Sequence, residues 1–303
     1  MDRRVRFARD LAESLRVTPG RPVALKDSHP GHTGDLVTRD ESAELQREGL
    51  ALLADYQARL SAQDTTGVLL LLQGTDGAGK DGTIKHVMSG VNPQGVQVRS
   101  FKQPSTIELE HDFLWRHQLA LPGRGTIGIF NRSHYEEVLA VRVHPDLLAA
   151  ERLPAAAATD DPWTRRFREI NAWERHLVDN GIRVVKVFLN ISRGEQARRF
   201  LERIDNPDKN WKFSVADIRE RRHWDEYQVA VEDMLNQTST KWAPWYLIPA
   251  DHKWFGRLAT AAVLIAALAE IDPQYPSASP EALSEMAEAR AGLVAEMEGI
   301  PPG

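Results

Sequence analysis

The chain has 303 residues, of which 42% are hydrophobic and 27% are charged, and its formal net charge is −5. This size and composition are typical of a globular protein with a sizeable core, and the acidic balance is not typical of a nucleic-acid-binding protein. The absence of cysteine excludes disulfides, thiolate metal sites and cysteine nucleophiles. The first residues are charged throughout, and no apolar run approaches the roughly 18 residues of a membrane span. We therefore expect a cytoplasmic protein that binds neither nucleic acid nor membranes.

The first predicted elements are two helices, over residues 2–17 and 40–62, followed by a strand. Apolar residues recur at helical spacing in the second helix. Gly67–Gln73 is a continuous apolar run, which is typical of a strand buried on both faces of a parallel sheet. A glycine-rich segment comes next, and a helix is predicted from about Gly82.

The rest of the chain alternates between predicted strands and helices. Strands are predicted at 96–101, 125–130, 182–192 and 245–250, and helices at 106–120, 163–180 and 280–299, with a surface loop at Leu153–Pro162. This alternation predicts an α/β fold, with a parallel sheet of about five strands between helical layers. The predicted organisation is an N-terminal helical extension (1–63), a core (64–272) and a C-terminal helix and tail (273–303).

The segment Gly74–Asp81, GTDGAGKD, fits the phosphate-loop pattern G-x-x-x-x-G-K. Glycines such as Gly77 and Gly79 let backbone N–H groups converge on phosphate oxygens, and Lys80 adds a mobile positive charge. The segment lies between a predicted buried strand and a predicted helix, as a phosphate loop requires. It therefore predicts a phosphate-binding site.

Two carboxylates accompany this loop. Asp81 stands where Ser or Thr is usual, and Asp76 lies inside the loop. Two acids beside a polyanion repel it unless a cation lies between them, and hard cations prefer oxygen ligands. The pattern predicts Mg²⁺, with Mn²⁺ as the second ion of this type. The structural alternative is that Asp76 or Asp81 caps the following helix.

Three segments together resemble the signatures of the family-2 polyphosphate kinases: GTDGAGKDGTIKHV, FNRSHYEEV and NPDKNWKFSVAD. The similarity extends over about residues 40–270. It implies a P-loop kinase fold of the thymidylate-kinase type, a three-layer sandwich with a helical lid at about 205–222. It also implies transfer of a phosphoryl group between inorganic polyphosphate and a nucleoside mono- or diphosphate, such as AMP, ADP or their guanine counterparts. The motif match implies five catalytic residues, Asp76, Lys80, Asp81, Arg132 and Glu136, and two lid lysines, Lys209 and Lys212.

One departure from the common family pattern concerns the second motif. Many members carry Asp where this chain has Asn131, and Asn where it has Glu136. The pattern here resembles the branch that uses AMP as well as ADP. Three arrangements for the metal stay open: ligation by Glu136, ligation by Asp76 and Asp81, or ligation through water.

Residues 193–223 contain nine Lys or Arg and six acids, a net charge of +3 in an acidic chain. A local cationic excess suits a segment that covers a polyanion; the alternative is a solvated helix face with ion pairs. Two further lysines, Lys85 and Lys102, would line a polyphosphate channel or be ordinary surface charges. The predicted phosphate-binding residues are Gly77, Gly79, Lys80, Lys85, Lys102, Arg193, Arg199, Arg203, Lys209 and Lys212.

Two other functions share this fold. The first is an ATP-dependent nucleoside or nucleotide kinase, against which Asp81 and the basic lid argue. The second is a nucleotide-binding module without transfer chemistry. The family resemblance also implies a homo-oligomer, a dimer or a tetramer. The N-terminal helices would either form its interface or pack on their own core.

Overall fold

A computed structural model describes residues 2–34, 37–154 and 161–299, except the side chain of Lys212. The strands are β1 (Gly67–Gln73), β2 (Val96–Ser100), β3 (Ile127–Asn131), β4 (Ile182–Asn190) and β5 (Trp245–Pro249). The helices are α1 (Arg3–Leu15), α2 (Arg39–Gln63), α3 (Lys80–Val87), α4 (Thr106–Leu109), α5 (Trp115–Gln118), α6 (Ala140–Val143), α7 (Pro145–Ala150), α8 (Pro162–Asp179), α9 (Arg193–Asp205), α10 (Val215–Glu220), α11 (Trp224–Thr238), α12 (Lys253–Ile271) and α13 (Pro280–Glu298). Short 3-10 turns cover Leu25–Asp27, Pro93–Gly95, His134–Val138, Asn210–Lys212 and Arg221–His223.

The five strands form one sheet in the order β2-β3-β1-β4-β5, and every pair is parallel. At the centre, Leu70 of β1 lies opposite Ile129 of β3 and Val185 of β4. The carboxyl ends of parallel strands share one edge of a sheet, so the segments that follow β1, β3, β4 and β5 are brought together there. The predicted parallel α/β sheet of about five strands is confirmed.

Alternate residues of β1 pack into two separate cores. Leu70 and Leu72 join a cluster with α1, α2 and α12, whereas Leu69 and Leu71 join one with α8 and α11. All four side chains are at most 1% exposed. Burial on both faces explains why β1 is a continuous apolar run, and it confirms the predicted three-layer arrangement.

Helix α12 forms the centre of the first core. Its residues from Leu258 to Ala269 are all buried, and α1 and α2 pack against it. The N-terminal helices thus contact the same core as β1, while the division at residue 63 stays a prediction. Helix α12 is long and apolar enough to cross a membrane, but 78% of its apolar window is buried inside the protein.

One predicted element is wrong. The helix expected over 106–120 is divided into α4 and α5. Ser105 and Glu108 form a capping box that starts α4, and the Asp112 carboxylate accepts a hydrogen bond from the Leu114 amide, 2.9 Å away. Such an aspartate-stabilised turn competes with a continuous helix. The other predicted helices and strands are present, with ends that differ by at most two residues; of the predicted loop Leu153–Pro162, residues 155–160 lie outside the described ranges.

Candidate active site

The glycine-rich loop connects β1 to α3, and its backbone requires glycine. Gly74, Gly77 and Gly79 all have positive φ, with Gly79 at +96°. A Cβ added at Gly74 would lie 2.9 Å from both Ala78 Cβ and the Leu189 carbonyl oxygen, a distance that packed atoms do not tolerate. Gly79 occupies the N-cap position of α3, and no side chain caps that helix. The alternative in which Asp76 or Asp81 caps α3 is therefore not observed.

The loop is held from outside by α9. Gln196 donates a hydrogen bond to the Asp76 carbonyl oxygen at 2.7 Å. Arg199 donates to the carbonyl oxygens of Gly77 and Ala78, both at 2.9 Å, and also to Ala250, Asp251 and Glu195. These five bonds use all five guanidinium N–H groups. Arg199 was predicted to bind phosphate; in the structure its N–H groups hold the loop, and its contact with phosphate stays a prediction.

Lys80, at the start of α3, is buried beneath the loop and only 8% exposed. Its ammonium donates to the Gly74 carbonyl oxygen at 2.6 Å and to that of Thr75 at 3.3 Å. An ammonium has three N–H donors, so one is left for a phosphate oxygen. Burial, together with the nearby Arg132, lowers the pKa of Lys80 to about 8.

The pKa of Lys80 leads to a prediction for the pH dependence of the expected phosphoryl transfer. Only protonated Lys80 carries the charge that attracts phosphate, so we expect kcat/KM to fall as the pH rises through about 8. In the Lys80→Arg variant the side chain stays charged throughout this range, so the residual activity should lack this falling limb. Steady-state rates from pH 6 to 10 measure both. An unchanged limb in the variant would show that another group titrates.

Arg132 connects the loop to the second motif. It follows β3 with φ at +62°, an uncommon conformation for a residue other than glycine. Its guanidinium forms a short ion pair with Asp76 and contacts the Glu136 carboxylate at 3.3 Å. Burial opposes the ionisation of Asp76, but Lys80 and Arg132 together hold its pKa below the ordinary value. The site thus holds an alternating row of charges: Lys80, Asp76, Arg132 and Glu136.

Asp81 lies on the exposed side of α3, and its carboxylate accepts a hydrogen bond from the Asn131 amide at 2.7 Å. Asn131 is the last residue of β3, so the first and second motifs meet at this bond. The described residues contain no group of three or more metal-binding side chains. Asp81 and the two carboxylates paired with Arg132 therefore do not form a closed metal site made of protein alone.

The second motif rests on a buried polar network. Lys186 of β4 donates to Tyr135 at 2.9 Å, to Glu174 at 2.6 Å and to the Thr238 carbonyl oxygen at 2.6 Å. Tyr135 in turn donates to Glu174 at 2.6 Å. Three acceptors around one nitrogen require the charged ammonium form of Lys186. This network anchors the residues between Arg132 and Glu136.

A central cleft of about 540 Å³ opens beside the loop. Of the predicted site residues, those that line it are Asp76, Gly77, Gly79, Lys80, Asp81, Lys102, Arg132, Arg199, Arg203 and Lys209. Glu136 lines the adjoining cavities instead. The structure therefore brings together residues from the loop, the second motif and the lid segment.

Two predicted phosphate-binding residues, Lys85 and Arg193, lie elsewhere. Lys85 and Arg193 are exposed and do not line the cleft, and the side chain of Lys212 is outside the described part of the chain. Lys85 follows Lys80 by five positions, which places it on a different face of α3.

This position leads to a prediction that compares two lysines. With the polyphosphate that the motif resemblance implies as substrate, we expect Lys85→Met to change its KM by less than about twofold. Lys102→Met should raise this KM roughly fivefold, because one charge-assisted contact contributes about 1 kcal/mol. Initial rates at varied polyphosphate concentration measure both values. Equal effects of the two substitutions would contradict the assignment.

Several cations of the basic segment 193–223 form ion pairs. Arg198 and Arg199 contact Glu195, Arg203 contacts Asp217 at 3.5 Å, and Lys209 contacts Glu202. In the structure, these residues therefore form the ion pairs that were the alternative to a segment covering a polyanion. Arg203 and Lys209 nevertheless border the cleft, where a polyanion can compete with their partly exposed carboxylate partners.

Sequence reasoning missed Lys253 and Arg257, which also line the cleft. They lie in the first turns of α12, directly after β5. Their position in the sequence could have indicated them. They follow a predicted strand, and segments that follow the strands of a parallel sheet lie at its shared carboxyl edge.

A side cavity of about 750 Å³ meets the cleft at Phe101, Lys102 and Arg132. Its lining combines apolar side chains, including Leu109, Phe113 and Val141, with acids such as Glu137. Burial and the nearby Glu151 raise the pKa of Glu137 to about 8. The cavity is thus partly apolar, and its junction with the cleft is cationic.

This geometry agrees with comparisons to known proteins. A family model described as Polyphosphate kinase 2 (PPK2) matches residues 36–276. The ADP-polyphosphate phosphotransferase of Rhodopseudomonas palustris is 48% identical over 258 residues, which cover 85% of this chain and 89% of that protein. The AMP/ADP-polyphosphate phosphotransferase of Meiothermus ruber is 42% identical over 277 residues, covering 90% and 98%.

A solved structure shows the same architecture. The crystal structure of polyphosphate kinase 2 from Arthrobacter aurescens TC1 superposes with a TM-score of 0.84 at 37% identity, and the match covers 93% of this chain and 96% of that one. The family model spans all three motifs around the cleft, and the relatives match nearly over their full lengths. The chain therefore belongs to the polyphosphate kinase 2 family.

Proposed function

We propose that this protein transfers phosphoryl groups between inorganic polyphosphate and a nucleoside mono- or diphosphate, AMP or ADP in the first place. The observation that carries the proposal is the position of Arg132. It lies where the phosphate-loop cleft meets the partly apolar side cavity, so a polyanion and a nucleotide can meet at one cationic side chain. The two relatives named above as ADP- and AMP/ADP-polyphosphate phosphotransferases support the same substrates.

The chemistry needs positioning and charge neutralisation more than proton transfer. The acceptor's terminal phosphate oxygen is already an anion at neutral pH and attacks the terminal phosphorus of polyphosphate in line, while the bond to the next bridging oxygen breaks. Lys80 and Arg132 face the charge that spreads over the transferring group, and the burial of Lys80 strengthens its part of this interaction. Asp76 keeps Arg132 in place through their ion pair. Because the reverse reaction uses the same contacts, the site serves both directions.

We propose Mg²⁺ as the cofactor, with Mn²⁺ as a substitute. Mg²⁺ is usually held by one or two carboxylates together with substrate phosphates, and Asp81 beside the Asn131 amide offers oxygen ligands of this kind at the cleft. Asp76 and Glu136 fit less well, because both carboxylates are engaged by Arg132. When bound, the ion would neutralise phosphate charge and align the two substrates.

We place the acceptor nucleoside in the side cavity. Its volume of about 750 Å³ is within the range of small-molecule sites. Phe113 and Val141 offer apolar surface to a base, and the cationic junction at Lys102 and Arg132 lies where the nucleotide phosphates would be. The cavity is large enough for either purine, so the choice between adenine and guanine depends on its polar lining.

A substrate panel tests this function against an ATP-dependent kinase of the same fold. AMP, ADP, GMP and GDP are each incubated with Mg²⁺ and either polyphosphate or ATP as the donor, and the products are resolved over time. We expect polyphosphate-dependent formation of ADP and ATP that stops when Mg²⁺ is chelated. Turnover with ATP alone, or none with polyphosphate, would refute the proposal.

We also propose that the protein works as a homo-oligomer in the cytoplasm. The described helix α13 has no buried residue and exposes Leu283, Met286, Leu293 and Met297, an apolar surface that a partner copy would cover. In contrast, α1 and α2 use their apolar faces within their own core. Light scattering of the purified protein measures the number of subunits, and a monomer would refute this part of the proposal.

A further inference from the structure

A second depression, which we call the outer basin, adjoins the central cleft on the side of α12. It has a volume of about 590 Å³. Among the described residues, its lining includes the cationic side chains of Arg39, Arg198, Lys253 and Arg257, and one acid, Asp251. The Asp251 carboxylate already accepts a hydrogen bond from the Ser192 amide at 2.7 Å. The outer basin is therefore a surface that attracts anions. Two of its cations, Lys253 and Arg257, also line the cleft, whereas Arg39 and Arg198 do not.

The outer basin and the central cleft share Lys253 and Arg257. Arg257 also approaches the phosphate loop: a Cβ built on Gly82, in the first turn of α3, would lie 3.8 Å from its Nη2. The side cavity meets the cleft at a different set of residues, including Phe101 and Arg132. The side cavity and the outer basin therefore adjoin the cleft through separate groups of residues.

Two further observations favour an anionic ligand in the outer basin. Helix α12 has 19 residues, and its N-terminus at Lys253 has neither a side-chain cap nor an acid in its first turn. Its free N–H groups and helix dipole thus add positive potential. Among residues 2–34, 37–154 and 161–299, Arg39 and Arg257 have no ion-pair partner. Arg198 and Lys253 share theirs, Glu195 and Glu202, with other cations.

We propose that the outer basin binds the part of a long polyphosphate chain that extends beyond the phosphates held in the central cleft. This inference rests on the proposed function, since it assumes that the cleft holds the reacting end of the polymer. A linear polyanion whose end faces the acceptor must leave the cleft by another opening, and the Lys253–Arg257 side offers one lined with positive charge. The outer basin would therefore make the enzyme prefer long chains to short ones, without touching the reacting phosphates.

Equilibrium binding of two donors tests the proposal, with Mg²⁺ present and no acceptor nucleotide. Long-chain polyphosphate can reach the outer basin, whereas tetraphosphate is held within the cleft. We expect Arg39→Glu to raise the Kd for long-chain polyphosphate about tenfold, as one reversed charge contact would, and to change the Kd for tetraphosphate less than twofold. An acid in the first turn of α2 suits the helix dipole, so the variant should fold.

The matched control is Arg47→Glu, which reverses a charge on an exposed side chain two turns further along α2. It should change neither Kd. If Arg39→Glu weakens both ligands equally, or weakens neither, the inference is overturned. Turnover with AMP and ADP is measured separately on the unaltered protein. A protein that binds polyphosphate with the expected difference but transfers nothing would refute the proposed function and not the outer basin.

Discussion

We expect the Lys80→Met substitution to lower kcat/KM by about 100- to 1,000-fold, the loss seen when one preorganised group that stabilises transition-state charge is removed. Lys80 is almost fully buried under the phosphate loop, where water does not screen its charge, and one of its N–H donors remains for phosphate. Methionine has nearly the same length and carries no charge, so the variant should retain the fold. Initial rates of polyphosphate-dependent ADP and ATP formation measure the effect.

The control for this prediction is Lys241→Met. Lys241 is exposed and precedes β5, at the edge of the sheet opposite the phosphate loop. The control should keep its activity within about twofold, and both variants should show the circular dichroism of the unaltered protein. A loss below about tenfold for Lys80→Met would show that Lys80 does not contact the transferring phosphoryl group.

The second large effect concerns stability, and we expect it from Lys186→Met. Removing Lys186 leaves Glu174 as an unpaired buried charge and takes a donor from Tyr135 and Thr238. Breaking such a pair costs about 3–5 kcal/mol of unfolding free energy, which lowers Tm by roughly 10 °C in a protein of this size. Urea unfolding and thermal melts measure the two quantities.

The matched control for Lys186→Met is Arg175→Met. Arg175 follows Glu174 on α8 and forms an exposed ion pair with Asp179, with both side chains about half exposed. An exposed pair contributes no more than about 1 kcal/mol. The double variant Lys186→Met/Glu174→Gln should recover part of the loss, because the buried charge is gone. Equal destabilisation by Lys186→Met and Arg175→Met would contradict the buried network.

The buried network also supports the site above it. His134 and Tyr135 are fully buried, whereas their neighbours Arg132 and Glu136 face the cavities. Arg132 adopts an unfavourable positive φ that the surrounding contacts must maintain. Lys186→Met should therefore lower Tm and also lower kcat, with kcat measured well below the melting temperature of the variant.

The candidate site was predictable to different degrees in its different parts. The phosphate loop was readable because its function depends on consecutive residues: three glycines with positive φ, a lysine and the start of a helix. The pairing of Asp81 with Asn131 joins residues 50 positions apart, so local spacing carries no information about it. For Arg199 the local sequence pattern is present but fits two roles. An arginine in a cationic segment has the same sequence context whether it binds phosphate or the carbonyl groups of the loop.

By itself, the sequence determined the alternation of strands and helices, the parallel sheet, the position of the phosphate loop and the family. These properties depend on local periodicity, glycine placement and motif order, which neighbouring residues specify. Only the tertiary structure decided which charges face the cleft. Lys85 was placed outside it, Lys253 and Arg257 were brought into it, and Arg132 was positioned between the cleft and the side cavity. The physical reason is that a charge acts through its distance from other groups, and the packing of helices on the two faces of the sheet sets those distances.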